Sequence, residues 1–249
     1  MKKTILILII FFGIVILLLG AFSVMSFLSP IKAVKDLNLK YYDSAFSSGG
    51  TLKDYLFEKE VAFLQARTQM AETDSVCLSI DLNDSLVLLE MQGIMLLKAR
   101  IIRIEKSNIF NRLHKGTYLE YFSKPLEIDS EYSTIPKEAF IIKQAPKDTT
   151  ETAPPVAKPD TLHKEAVCFN LYLDRNLMID IRQVDTIKNE QYLAYHKYIR
   201  KERISNQIRS LMKFSVPHYE PWIRIDIPAA DAKSIYKAMP DHGQVAVKL

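Results

Sequence analysis

The chain opens on an unbroken apolar run. From Thr4 to Ile31 no residue is charged, and most positions are Ile, Leu, Val or Phe. About 20 such residues cross a bilayer as a helix, so the pattern predicts one transmembrane helix within residues 1–31, with Pro30 ending the span. Lys2 and Lys3 ahead of it favour an N-terminus on the cytoplasmic side, although Lys32, Lys35 and Lys40 beyond it weaken the charge asymmetry. Ala21-Phe-Ser23 resembles a small-residue cleavage site, which leaves a signal peptide as the alternative. The run continues past that site to Leu28, which favours a retained anchor. No Cys follows closely, so a lipoprotein anchor finds no support.

Residues 32–75 then read as a juxtamembrane helical segment. Ser47-Ser-Gly-Gly50 interrupts it, and Thr51 with Asp54 three positions on makes a weak capping-box pattern. Leu52, Tyr55, Leu56, Phe63 and Leu64, with Lys53, Glu58, Lys59, Glu60 and Arg67 between them, predict an amphipathic helix. Packing on the main domain is its expected use, and docking of a partner helix is the alternative.

At Val76 the period changes to two. Val76, Leu78, Ile80 and Leu82 share one face, with Cys77, Ser79 and Asp81 on the other. Asn83-Asp84-Ser85 turns the chain, Leu86 to Met91 returns, and Gly93 precedes an apolar strand from Ile94 to Ile104, giving a hairpin meander. Val167 to Leu177 repeats Val76 to Leu86 at an offset of about 91 residues, as strand, polar turn and strand. Two hairpins with similar demands in one sheet account for this, as would a duplication, and both place Cys77 and Cys168 at equivalent positions. Residues 145–165 carry Pro146, Pro154, Pro155 and Pro159 among Thr, Asp, Glu and Lys. That composition buries too little apolar surface to offset ordering, so it reads as a loop inserted in one domain over 76–249, or else as a linker between two. Asn189 to Phe214 predicts a long basic helix, with Lys197, Arg200, Lys201, Arg203, Arg209 and Lys213 against Glu190 and Glu202. Its charges form either a solvated face or a surface for anionic lipid or glycan.

Composition adds little. The chain has 249 residues, 48% hydrophobic and 25% charged, which suits a globular domain behind the apolar run. A net charge of +4 does not imply nucleic acid, and the predicted anchor disfavours it. Cys77 and Cys168 are the only two cysteines. Outside the cytoplasm they have the option of a disulfide; two buried thiols are the alternative. The five histidines lack metal-ligand spacing, and there is neither a phosphate-cradling Gly loop nor a Gly-x-Ser-x-Gly elbow, so no cofactor is expected.

One constellation remains. Ile223-Arg224, Asp231-Ala232, Ile235-Tyr236, Gly243 and Val245 fall where the YkuD-type L,D-transpeptidases have an aliphatic residue and Arg after their nucleophile, an Asp-Ala-x-x-aliphatic-Tyr helix and a Gly-x-x-Val strand. Leu78 to Leu89 is similar to that family's opening hairpin, and Ser133 to Lys143 resembles its Thr-Pro-x-Gly-x-Phe-x-Ile segment without the Gly. Leu171 to Ile181 looks like its strand ending in Ile-His-Gly. The segments come in family order from Val76 to the C-terminus.

The resemblance implies an α+β, mainly β fold. It would be a mixed sheet or β-sandwich with a basic helix and a C-terminal strand–helix–strand, behind one N-terminal transmembrane helix. In that family a Cys thiolate attacks a stem-peptide carbonyl, His activates it, and Gly-turn N–H groups hold the oxyanion. Here Trp222 stands at the nucleophile position, Asp180 at the His, Ile181 at the Gly, and Pro221 removes an N–H donor. Cys77 and Cys168 lie far in sequence from the motif, which speaks against a displaced nucleophile. The implied protein is therefore a pseudoenzyme, bound to the cytoplasmic membrane with its domain facing the periplasm or cell exterior. It would bind peptidoglycan stem peptides or a cell-wall cross-linking partner. Arg224 is the candidate carboxylate ligand, against a plain salt bridge with Asp226. Trp222 is a stacking platform or a plug in the vacated pocket. An envelope scaffold without glycan contact is the alternative from another class.

Overall fold

The computed structural model describes residues 2–41, 52–137, 165–184, 189–213 and 215–249. The interruption at Ser47–Gly50, the Thr51 cap, nearly all of the 145–165 insertion and Phe214 lie outside them. The architecture is α+β: a mixed nine-stranded sheet with five α-helices, the first of them apolar and N-terminal.

Helix α1 runs from Lys2 to Lys40 and is long and apolar enough to cross a membrane, a test that a signal sequence also passes. Pro30 does not end it, contrary to the sequence expectation. A proline inside a helix removes one hydrogen bond and costs about 3 kcal/mol. Tertiary contacts on both sides of it offset that. Ser29 Oγ donates to Pro217 O at 2.7 Å, Asn38 Oδ1 accepts from His114 N at 3.0 Å, and Leu37 and Tyr41 pack on the core.

Helix α2, Leu52–Ala71, buries Ala62, Phe63, Ala66 and Met70, while Leu56 and Leu64 stay exposed. Of the predicted apolar side, Phe63 is packed and Tyr55 meets the Tyr118 ring, while Leu56 and Leu64 are not on the packed side. Two alanines in the buried stripe let the helix backbone approach the sheet, which the larger leucines would hold away.

The strands are β1 Cys77–Asp81, β2 Leu86–Met91, β3 Ile94–Arg100, β4 Arg103–Lys106, β5 Leu126–Ser133, β6 Cys168–Leu173, β7 Leu177–Gln183, β8 Trp222–Ile227 and β9 Gln244–Lys248. The order is β3-β2-β1-β9-β5-β6-β7-β8-β4. Its two ends, β3 and β4, are halves of one chain segment, so the single strand expected over 94–104 is divided. Ile101 N donates to Ser85 O, and the next amide, Ile102 N, donates to Asp226 O, each at 2.8 Å. The segment therefore leaves β2 and joins β8, wrapping the sheet on itself. Strand β5 makes the opposite corner, pairing with β9 at Leu126 and Glu127 and with β6 from Ile128 onward, across a register shift between Ile128 and Ser130.

Both hairpins expected from the sequence form, β1–β2 and β6–β7. The C-terminal strand–helix–strand forms as β8, helix α5 (Ala229–Ala238) and β9. Strand β9 enters the middle of the sheet, parallel to β1 and antiparallel to β5. Inward residues such as Ile80, Leu89, Leu126, Phe169, Ile179, Ile225 and Val247 form one core. Helix α3, Lys115–Phe122, contributes Tyr118, Leu119, Tyr121 and Phe122 to it, and α5 contributes Ala232, Ile235 and Tyr236.

The cysteines stand apart. Cys77 is buried beside Phe63, Ala66, Met70 and Ala246, beneath α2. Cys168 is buried at the start of β6, three strands away. Three strand spacings come to about 14 Å, twice the reach of a disulfide at about 7 Å between Cα atoms. The disulfide considered from the sequence is absent, and neither thiol is on an open polar face. Helices cover the outer faces of both hairpins, which alternation alone marks as polar.

Candidate functional site

Strands β7 and β8 alternate strictly. Their inward positions are Ile179, Ile181, Ile223, Ile225 and Ile227; the other face carries Met178, Asp180, Arg182, Trp222, Arg224 and Asp226. The neighbouring strands extend this face with Asn170 and Tyr172 of β6 and Arg103 and Glu105 of β4. Helix α4, Glu190–Met212, covers part of it. Asn189 Oδ1 caps that helix by accepting from Tyr192 N at 2.9 Å.

Asp180 is the centre of the face and only 2% exposed. Arg182 donates to it twice, Nε to Oδ1 at 2.9 Å and Nη2 to Oδ2 at 2.6 Å. Arg224 Nε donates to Oδ2 at 2.9 Å, and Tyr195 Oη reaches Oδ1 at 3.4 Å while donating to Asn170 Oδ1 at 2.7 Å. A buried carboxylate needs such saturation, because an unpaired charge in a dry site costs several kcal/mol. Burial and the nearby Asp180 charge push the Tyr195 phenol far above its usual range, so it stays a neutral donor. Burial works against the Arg182 charge, but its bonds to Asp180 outweigh it and the net shift is upward.

Arg224 sits where this network meets water. Its Nη1 donates to Glu105 Oε2 at 2.8 Å, and its guanidinium lies 5.2 Å from the centre of the Trp222 ring. The Glu105 side chain is 44% exposed against 3% for Asp180. One partner is therefore fixed and the other exchangeable. The pairing with Asp226 considered from the sequence does not occur; Asp226 lies 3.6 Å from Arg103 instead. His196, on the helix above, has its pKa lowered by burial and then by Arg182, with Asp180 opposing and Arg224 and Arg200 adding to the fall. Its Nε2 is buried and finds no partner among the described residues.

Asp180 and Trp222 share this face without opposing each other across a pocket. The register pairs Asp180 with Arg224 and Met178 with Trp222, so the two are diagonal neighbours and Arg224 bridges them. Trp222 is half-buried on its strand. Cys168 shares the face at its other end, paired in register with Arg182. Two strand spacings and four residues along the strand separate it from Trp222 by roughly 16 Å. That is too far for the thiol to stand in at the Trp222 position. Among the described residues no three His, Cys, Asp or Glu side chains are grouped to hold a metal ion.

Arg182, Tyr195, Asn170 and Glu105 were not singled out from the sequence. The alternation in Leu177–Gln183 marks Asp180 and Arg182 as sharing a face, which is a usable signal. Nothing local marks Glu105 or Tyr195, whose partners come from distant strands. A separate cavity of about 250 Å³ lies at the foot of α1, where Lys32, Asp36, Lys40, Arg175, His218 and Tyr219 contribute to its lining. Its lining includes none of Asp180, Arg182, Trp222 or Arg224, and the ionic face is the candidate site.

Compared with known proteins, the chain matches no family model, no curated protein and no solved structure. The likeness to L,D-transpeptidases rests on the residues quoted for it.

Proposed function

We propose that the protein is a membrane-anchored cell-envelope protein whose β domain resembles an L,D-transpeptidase without its catalytic residues and binds instead of reacting. Helix α1 is the retained anchor, and the domain faces the periplasm or cell exterior. Contacts of Ser29, Leu37, Asn38 and Tyr41 with the domain support retention, since they tie the end of the apolar helix to the fold. The proposed ligand is a peptidoglycan stem peptide, or the segment of a cross-linking enzyme that carries one.

Arg224 carries this reading. A guanidinium held on one side by buried Asp180 and on the other by exposed Glu105 is oriented in advance, and an incoming carboxylate can replace Glu105 at little cost. Trp222 beside it offers a flat apolar surface to the adjoining part of the ligand. Asp180, with its donors already bound, acts as a support and not as a base.

The test is retention on purified sacculi. The native chain should be retained and Arg224→Ala should be retained severalfold less. Turnover of a stem-peptide substrate that disappears in Cys168→Ala or Cys77→Ala would overturn the inactive assignment.

A second reading, an envelope scaffold that docks another protein without glycan contact, is favoured by exposed Ile94, Met95 and Leu96 on β3. Retention on sacculi no better than that of an unrelated periplasmic domain selects it.

A further inference from the structure

The outward face of α4 has no assigned role. Leu193, Ile204, Ile208 and Met212 are exposed there, with Met212 at 77%. At 100° per residue these positions share one face with Lys197, Arg200 and Lys201, all exposed. Lys197, Arg200, Lys201, Ile204 and Ile208 line a shallow groove together. The opposite side of the helix holds Tyr195 and Glu202, which bond to the sheet. An apolar stripe at the C-terminal turns, preceded on the same face by three cations, on a helix already fixed by its other side, suits the boundary of an anionic bilayer.

The position of the helix supplies an independent reason. Tyr172 Oη donates to Glu202 at 3.0 Å, and ten further residues carry the helix on to Met212, about 15 Å of rise. Pro217 lies five residues beyond Met212, at most about 18 Å of chain, and its carbonyl accepts from Ser29. Ser29 lies in the last turn of the uncharged run, three residues before Lys32. The exposed end of α4 is thus held near the point where α1 leaves the apolar phase.

We propose that the C-terminal turns of α4 rest in the interface of an anionic membrane, with Ile204, Ile208 and Met212 entering the acyl boundary and Lys197, Arg200 and Lys201 meeting lipid phosphates. The contact rests on α1 being a membrane anchor. It adds a second attachment, fixing the tilt of the domain and the height of the Arg224 face above the bilayer.

The experiment uses the full chain in nanodiscs of phosphatidylcholine alone or mixed with phosphatidylglycerol. Single cysteines at Ile208→Cys, Asn206→Cys or Phe12→Cys carry an environment-sensitive fluorophore, and brominated lipids act as quenchers. Cys77 and Cys168, at 2% and 0% exposure, stay unlabelled under native conditions. The expected result is quenching at position 208 severalfold above that at 206, stronger with phosphatidylglycerol. The combined Lys197→Glu, Arg200→Glu and Lys201→Glu replacement should reduce it to the level at 206. Quenching at 12 with equal, low quenching at 208 and 206 overturns the α4 contact and leaves the anchor standing. Absence of quenching at 12 as well overturns both. Emission at 208 shifted to the blue without lipid quenching means that protein covers the face, and also overturns the proposal.

Discussion

Replacing Asp180 by Ala removes the acceptor of three charge-assisted bonds and a longer one from Tyr195. Breaking a buried ion pair from one side costs about 3–5 kcal/mol, because the remaining charge has no partner. Here both abandoned guanidiniums reach water, with side-chain exposures of 20% for Arg182 and 27% for Arg224, so hydration recovers part of the loss. Tyr195 keeps its bond to Asn170. The expected loss is about 2–3 kcal/mol, which at about 2–3 kcal/mol per molar urea lowers the unfolding midpoint by roughly 1 M.

The assay is urea titration of the full chain in detergent micelles, followed by fluorescence of Trp222, the only Trp and a neighbour of Arg224 on the same face. Glu105→Ala is the internal reference. It removes the exposed partner of Arg224 and should cost under about 1 kcal/mol. A third variant combines Asp180→Ala with Arg182→Met and Arg224→Met. Having no uncompensated buried charge, it should be more stable than Asp180→Ala alone. An Asp180→Ala midpoint no lower than that of Glu105→Ala would refute the reasoning, showing the cluster to be solvated and not a buried support.

Three further outcomes are expected. Because burial and the nearby arginines lower the His196 pKa, its neutral form is favoured by folding. That contribution is fully present above the ordinary histidine value of about 6.5 and is lost as pH falls through the lowered one. The urea midpoint should drop from pH 7 to pH 5 by more in the native chain than in His196→Phe, and equal drops would contradict the assignment. Gly93→Ala should cost about 1 kcal/mol through backbone strain at φ 76°, since its Cβ would meet only Ala71 Cβ at an ordinary 3.6 Å; an unchanged urea midpoint would rule this out. Maleimide should label Cys77 and Cys168 only on unfolding, and burial also pushes the Cys77 thiol up, away from the reactive thiolate. Rapid native labelling of Cys168 would reopen the question of a nucleophile.

The elements legible in the sequence are those whose signal is local. The hairpins β1–β2 and β6–β7 follow from a two-residue period with turn residues between, and α4 from a helical period with Asn189 at its start. The helix faces were less legible. Leu56 and Leu64 look like the packed side of α2, yet Ala62 and Ala66 are buried, because close approach to a sheet favours small residues over hydrophobic ones. Asp180, Trp222 and Arg224 could be singled out from the sequence by resemblance, but their mutual geometry could not. The strand register sets Arg224 opposite Asp180 and shifts Trp222 one step along.

By itself, then, the sequence determined an apolar N-terminal helix, an α+β domain with two hairpins and a long basic helix, all written in local patterns along the chain. Only the tertiary structure decided that residues 94–106 bend between the two ends of the sheet, and that the cysteines lie three strands apart. It also gave Arg224 its partners, Asp180 at 44 residues and Glu105 at 119 residues along the chain. The physical reason is one of range. Local periodicity fixes which face a residue takes, while the choice among distant strands depends on how the whole chain closes its backbone hydrogen bonds around a single core.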